Sequence, residues 1–277
     1  MSPSEEQTAA APEVAPLRDA STVVLVRDGD AGIEVFLQHR VKQMAFAGGM
    51  TVFPGGGVDD RDRDAQIRWA GPGPAWWAER LSTDEATARA LVSAAVRETF
   101  EECGVLLAGT EDAVSPDPSA FAGERARLVG KDLSFAQFLS DNDLVLRADL
   151  LAPMAHWITP KNERRRYDTR FFLAALPDGH AADGATTEAE ATEWRTARLA
   201  LADWESGRRF LLPPTWTQLR EIARFGTVAE LMGASRVISP IEPRVSDGEG
   251  ILGLGFDDSA DYFAALSDGR LDRLGDR

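Results

Sequence analysis

The stretch RETFEECG, residues 97–104, sets three glutamates and an arginine within eight positions and closes on glycine. On an α-helix, positions i, i+3 and i+4 share a face, so Glu98, Glu101 and Glu102 would present their carboxylates together. Carboxylates crowded in this way raise one another's pKa, and keeping them ionised requires a strong local cation. Mg²⁺ or Mn²⁺ suits them, because hard divalent ions take oxygen ligands and keep waters that substrate phosphates can displace. Arg97 can orient one carboxylate through its planar guanidinium. A solvated acidic helix face would account for the same residues. The dense basic cluster of Lys161, Arg164, Arg165, Arg166 and Arg170 is suited to substrate phosphates, with Arg166 and Arg170 as the candidates, or to balancing nearby acids in a loop. His39 and His156 fall on expected strands, where a hydrogen-bonded structural histidine is the commoner outcome. Cys103 reads as a packing residue, and Trp69, Trp76 and Trp77 as core of an insertion.

The carboxylates need a rigid helix behind them. Ala88, Leu91, Val92, Ala95, Val96, Thr99 and Cys103 recur at helical spacing; Ser82 and Glu85 form a capping-box pattern before them, and Gly104 follows as a C-cap. Upstream, residues 21–40 predict a hairpin about an Asp28-Gly29 turn, and MTVFPGGG, residues 50–57, a short strand running into a glycine turn. Charge, Gly-Pro punctuation and tryptophans mark residues 61–81 as an insertion with a small helix or two. Further on, the pattern predicts helix around 119–148, strands at MAHWIT, TRFFLAAL and EWRTARLAL, and a helix after a Pro213-Pro214 break. Residues 1–17 read as a disordered tail. Residues 240–277 form a C-terminal extension, whose Ile251, Leu252, Leu254 and Phe256 must be covered either by their own domain or by a second copy in a homodimer. Separated helices among antiparallel-looking strands argue for an α/β sandwich.

In this setting the chain resembles the Nudix hydrolases, whose box runs G-x5-E-x7-R-E-U-x-E-E-x-G-U, with U aliphatic. Arg97, Glu98, Glu101, Glu102, Gly104 and Val105 match its second half, and Thr99 takes an aliphatic slot. FPGGGVDD looks like the first half, with Asp62 where the middle glutamate is expected. Gly56 and Arg97 stand 41 positions apart instead of 14, an excess of 27, so the box is split by an insertion. A loop between fixed ends lengthens at modest entropic cost. A box split this way is similar to the branch containing peroxisomal coenzyme A diphosphatases, and the resemblance extends over roughly residues 20–225. It implies a Nudix-type α/β/α sandwich with a mixed sheet and helical insertions over residues 18–239. It also implies a metal site of Gly56, Glu98, Glu101 and Glu102, with Glu98 and Glu101 catalytic. A further glutamate among Glu188, Glu190 and Glu193 would complete the site, Glu190 first. The element preceding the box in coenzyme A-specific members is matched at Leu37, Arg40, Gly49 and Phe53 to Gly56, which makes Arg40 a substrate-binding candidate. It lacks the second arginine, at Ala45, and has Val41 in a small-residue slot. The implied activity is cleavage of a nucleoside diphosphate linked to a second group, coenzyme A or its acyl esters among them. A nucleotide-sugar or NADH diphosphatase, and a non-catalytic binding module of the same fold, are the alternatives.

Composition narrows the partners. The 277 residues carry 45 acidic and 30 basic side chains, a formal charge of −15 that repels nucleic acid and anionic membrane. A single cysteine excludes an intramolecular disulfide framework and fits a reducing compartment. Glu5 and Glu6 stand where a secretory signal would carry lysine or arginine, and FFLAAL is among the longest clean apolar runs, far short of the ~20 residues of a membrane span. The expectation is a cytoplasmic protein acting on a small molecule.

Overall fold

The computed structural model describes residues 14–41, 47, 49–63, 67–115, 117–186, 188–246 and 253–265. Most of the expected tail, together with Ala45, Ile251 and Leu252, lies outside the described residues.

Strands β1 (Leu17–Gly29) and β2 (Gly32–Arg40) form the expected hairpin. The Gly29–Gly32 pair closes it over Asp30-Ala31, two residues beyond the expected turn, because Gly32 rather than Gly29 takes the positive φ, 117°. Strand β3 (Thr51–Val52) adds to β2, and the glycines themselves form β4 (Gly55–Gly57), paired antiparallel with β1. A 3-10 turn (Asp60–Arg63), β5 (Trp69–Ala70) and helix α1 (Pro74–Leu81) lead to α2 (Glu85–Cys103). Ser82 closes α1 in a left-handed conformation, and Asp84 caps α2 in place of the expected Ser82, accepting the Thr87 N–H at 2.9 Å. Gly104 is the C-cap, as expected.

After β6 (Ala108–Gly109), the region read as one helical stretch is broken into α3 (Ala122–Val129), α4 (Phe135–Asp141) and β7 (Val145–Arg147), and β5, β7 and β6 form a small sheet of their own. Then come β8 (Leu151–Ile158), β9 (Arg166–Ala175) and β10 (Ala189–Thr196). The third expected strand ends early, since the Thr196 side chain caps α5 (Ala197–Glu205). Helix α6 (Pro213–Ile222) starts on the proline pair, because a first-turn N–H has no helical partner to lose. Helix α7 (Val228–Gly233), β11 (Pro240–Ile241), β12 (Arg244–Val245), β13 (Leu254–Gly255) and α8 (Ser259–Ala264) complete the chain.

The main sheet is mixed and runs β10-β2-β1-β9-β8-β11, with β3 on β2 and β4 on β1. Its centre is buried on both faces, which is why β1 and β9 read as unbroken apolar runs. Val23, Leu25, Phe172 and Ala174 pack with α1 to α4. Val24, Val26, Phe171 and Leu173 pack with α5 to α7 on the other side. The result is an α/β/α sandwich. The C-terminal extension folds onto its own domain: β11 runs parallel to β8, Tyr262 is fully buried against Trp204 at 5.0 Å, and Phe256 meets Trp157 at 5.7 Å. Among the described residues no helix is long and apolar enough to cross a membrane.

Candidate active site

The site is assembled where β4 meets α2. Both are tied to β1: Gly56 pairs with Ser21, whose hydroxyl donates to the Leu91 carbonyl of α2 at 2.6 Å. The Gly55 N–H donates to Glu102 at 3.0 Å. A Cβ placed on Gly56 would lie 2.6 Å from the nearer Glu98 carboxylate oxygen, so a larger residue there would push that carboxylate aside. The two halves of the split motif therefore touch despite the residues between them.

Arg97 organises the carboxylates. Its Nε and Nη2 donate to the two oxygens of Asp62 at 2.8 Å each, Nη1 to Glu98 at 2.7 Å and Glu101 at 3.3 Å, and Nη2 to the Gly57 carbonyl at 3.0 Å. Asp62, in the slot of the expected middle glutamate, is only 1% exposed and also accepts the Asp59 N–H at 2.8 Å. This bidentate pair fixes the guanidinium plane, so the arginine is a bridge between the halves as well as a neighbour of the glutamates.

Burial, reinforced by Glu101, pushes Glu98 up to about 7 although Arg97 opposes it. Burial and the charge of Glu98 push Glu102 up to about 8, against the Gly55 N–H and Arg40. Burial likewise raises Glu101, with Arg97 opposing. Burial alone would lower Arg97, but Asp62, Glu98 and Glu101 raise it. Such a set of buried oxygens with one cation between them matches the donor chemistry of Mg²⁺ or Mn²⁺. The side chains are not preassembled around an ion: among the described residues no three His, Cys, Asp or Glu form a ready coordination cluster, and Arg97 occupies the space beside Glu98 and Glu101.

Of the downstream glutamates, Glu188 lies at the site. It pairs with Arg40 at 2.7 Å, its charge adds to the rise of Glu102, and both it and Arg40 line the cleft. Glu190 is the extra residue of a bulge between Ala189 and Ala191 opposite β2; it is exposed and is not among the cleft-lining residues. Glu193 instead accepts a hydrogen bond from His39 Nε2 at 2.8 Å. The bulge resets the alternation of β10, a feature its sequence does not announce.

Arg166 and Arg170 do not reach the cleft. Arg166, 6% exposed, is held by the Thr159 and Ala15 carbonyls and by Glu242; Arg170, 4% exposed, is held by the Leu81 carbonyl and Asp168. Both belong to β9, whose pairing turns them inward, and Arg165 is the member of that cluster lining the cleft. The histidines are structural: His39 contacts Thr51 at 2.9 Å, His156 Asp168 at 2.5 Å and His180 the Ser115 carbonyl at 2.6 Å. Burial holds His39 below its usual pKa, with the Glu193 hydrogen bond opposing, and pushes the fully buried Cys103 thiol up.

The cleft measures about 1280 Å³ and runs from Gly55–Gly57 and the three glutamates to a wall of Trp157, Phe171, Phe210, Leu212, Val245 and Leu254. Val245 and Leu254 come from the C-terminal extension, a contribution that no motif in the sequence signals.

The split box, its carboxylate helix and the sandwich around it define a Nudix hydrolase, and the comparisons agree. The family model described as NUDT19 Nudix domain matches residues 74–225, more than half of the chain, and the chain belongs to this family. The acyl-coenzyme A diphosphatase NUDT19 of Homo sapiens is 27% identical over 239 residues, covering 72% of this chain and 63% of that protein. Its namesake in Xenopus laevis is 26% identical over 152 residues, covering 50% of this chain and 40% of its own length. The match thus spans less than two thirds of these curated relatives. Among solved structures, a Nudix hydrolase from Alicyclobacillus acidocaldarius is similar with a TM-score of 0.68 at 27% identity, covering 80% of this chain and 98% of that one.

Proposed function

We propose that this protein is a divalent-metal-dependent diphosphatase that hydrolyses a nucleoside diphosphate joined to a second group, with coenzyme A or its acyl esters as the first substrates to try. The observation that carries the reading is the contact of Gly55 and Gly56 with Glu102 and Glu98 across a separation that would otherwise scatter the motif. Glu98, Glu101 and Glu102, with the Gly56 carbonyl, would hold Mg²⁺ or Mn²⁺. Such an ion, when bound, neutralises the diphosphate and lowers the pKa of a water. Arg97 orients the carboxylates through its Asp62 anchor. Arg40 binds a substrate phosphate, exchanging it for Glu188. Glu188, placed at the cleft where Glu190 is not, accepts the proton of the attacking water. The water oxygen bonds to one phosphorus, the anhydride P–O bond breaks, and two phosphomonoesters leave.

The choice of coenzyme A derivatives is supported by the names of the relatives and by the apolar wall, which offers a long acyl or pantetheine-like arm a dry surface. A panel of coenzyme A, acyl-coenzyme A, NADH and nucleotide sugars, incubated with Mg²⁺ or Mn²⁺ in ¹⁸O-water and read by mass spectrometry, tests both parts. One labelled phosphomonoester from coenzyme A substrates is expected. Preferred cleavage of NADH or a nucleotide sugar overturns the substrate, and no metal-dependent cleavage of any member overturns the activity.

A further inference from the structure

Helix α3 ends against the preference of its own sequence. Gly130 follows it directly, and glycine is the residue that ordinarily takes a left-handed conformation after a helix, having no Cβ to clash. Here Gly130 keeps right-handed angles, φ −72° and ψ −6°, and Lys131 takes the left-handed ones with φ 61°. A bulky non-glycine residue in that region is strained, and such strain persists where the surroundings enforce it, often at functional sites.

The surroundings here belong to the catalytic motif. The Lys131 N–H donates to the Leu128 carbonyl at 2.9 Å, and its own carbonyl accepts from Arg61 Nη1 at 3.1 Å. Arg61 is gripped by both oxygens of Asp59 at 3.0 Å, and Asp59 donates its N–H to Asp62, the anchor of Arg97. The left-handed turn is therefore tied to the arginine that orders the glutamates. Its side chain lines the same cleft and its charge acts on Glu101. Of the cations lining that cleft, Arg40, Arg61, Arg63 and Arg97 are ion-paired. Arg18, Arg165 and Lys131 line the cleft without an ion pair among the described residues, and of these Lys131 is the one whose charge acts on Glu101.

We propose that Lys131 binds the substrate diphosphate, its ammonium taking non-bridging phosphate oxygens beside Glu101, and that the left-handed backbone exists to aim it there. This rests on the diphosphatase reading. Lys131→Gly removes the ammonium and relieves the backbone together; Lys131→Gln removes the charge from a polar side chain one atom shorter and keeps the strain; Lys131→Arg keeps the charge. Each variant is assayed for kcat/KM on the cleaved substrate, for affinity towards ADP with Mg²⁺ by calorimetry, and for Tm. The expected result is a Tm at or above wild type for Lys131→Gly with at least a tenfold fall in kcat/KM and in ADP affinity. Lys131→Gln should show the same fall without a gain in Tm, and Lys131→Arg should recover most of the loss. Lys131→Gln with both binding and turnover within twofold of wild type overturns the proposal. If the wild type cleaves nothing in the panel, the diphosphatase reading falls alone when ADP affinity still depends on the Lys131 charge; both fall when it does not.

Discussion

Glu102 shows how one side chain serves structure and chemistry at once. It accepts the Gly55 N–H that joins the two halves of the motif, and burial beside Glu98 pushes it up to about 8. Glu102→Gln keeps an oxygen for that N–H and removes the charge. We expect kcat to fall at least about a hundredfold while circular dichroism is unchanged; near wild-type turnover at saturating Mg²⁺ would place the metal elsewhere. The raised carboxyls also set a pH dependence. Glu98 and Glu102 titrate near 7 and 8 in the folded chain against 4.5 for an ordinary glutamate, so the folded state binds more protons than the unfolded one between those values. Their contribution to metal-free stability is fully present below about pH 4.5 and is lost as pH rises through 7 to 8. Metal binding needs the ionised forms and relieves their repulsion. Mg²⁺ should therefore raise Tm more at about pH 8.5 than at about pH 6, and Glu102→Gln should raise the metal-free Tm at the higher pH while shrinking the Mg²⁺ effect. An Mg²⁺ shift in Tm independent of pH would contradict this account.

At the scale of elements, what was legible is what depends on local chemistry. The periodicity of α2, its Gly104 end and the glycines of β4 identify the carboxylate face, and continuous apolar runs identify central strands. What was not legible depends on partners distant in sequence. Ser82 satisfies the capping-box pattern, yet α1 ends there and Asp84 does the capping. Arg166 and Arg170 look like free cations in the sequence and are consumed by carbonyls and acids that only the folded sheet brings to them. One bulge exchanges Glu190 for Glu188 at the cleft. The residues between the halves of the box, whose tryptophans read as the core of an insertion, join the core of the main sheet. Trp77 of α1 is fully buried, 5.6 Å from Phe172 at the centre of the sheet. Trp77→Ala should cost about 3–5 kcal/mol in urea unfolding. A loss below about 1 kcal/mol, the level of an ordinary surface change, would mean that the segment is dispensable to the core.

At the scale of the whole molecule, the net charge of −15 opposes an anionic substrate, and the cleft, lined by seven basic and eight acidic side chains, does not reverse that field by itself. The C-terminal extension closes the far side of that cleft, and among the described residues it is attached to its own domain. Tyr262 stacks on Trp204, meets Trp216 edge-on at 5.3 Å and donates its hydroxyl to the Leu211 carbonyl at 2.8 Å; Arg220 pairs with Asp261 at 2.5 Å. Leu211 adjoins Phe210 and Leu212 of the cleft wall, so the extension braces the surface that the substrate would touch. Tyr262→Phe removes one hydrogen bond and should cost about 1 kcal/mol, whereas Tyr262→Ala should cost about 3–5 kcal/mol by opening a cavity. Deleting residues 245–277 takes away the bracing and the Val245 and Leu254 wall together. We expect the truncated protein to have a lower Tm and a higher KM for acyl-coenzyme A, with the mass measured by light scattering the same as that of the full chain. A folded truncation whose mass halves would show that the extension holds two copies together, and a truncation with unchanged Tm and KM would show that it neither braces the domain nor contacts substrate.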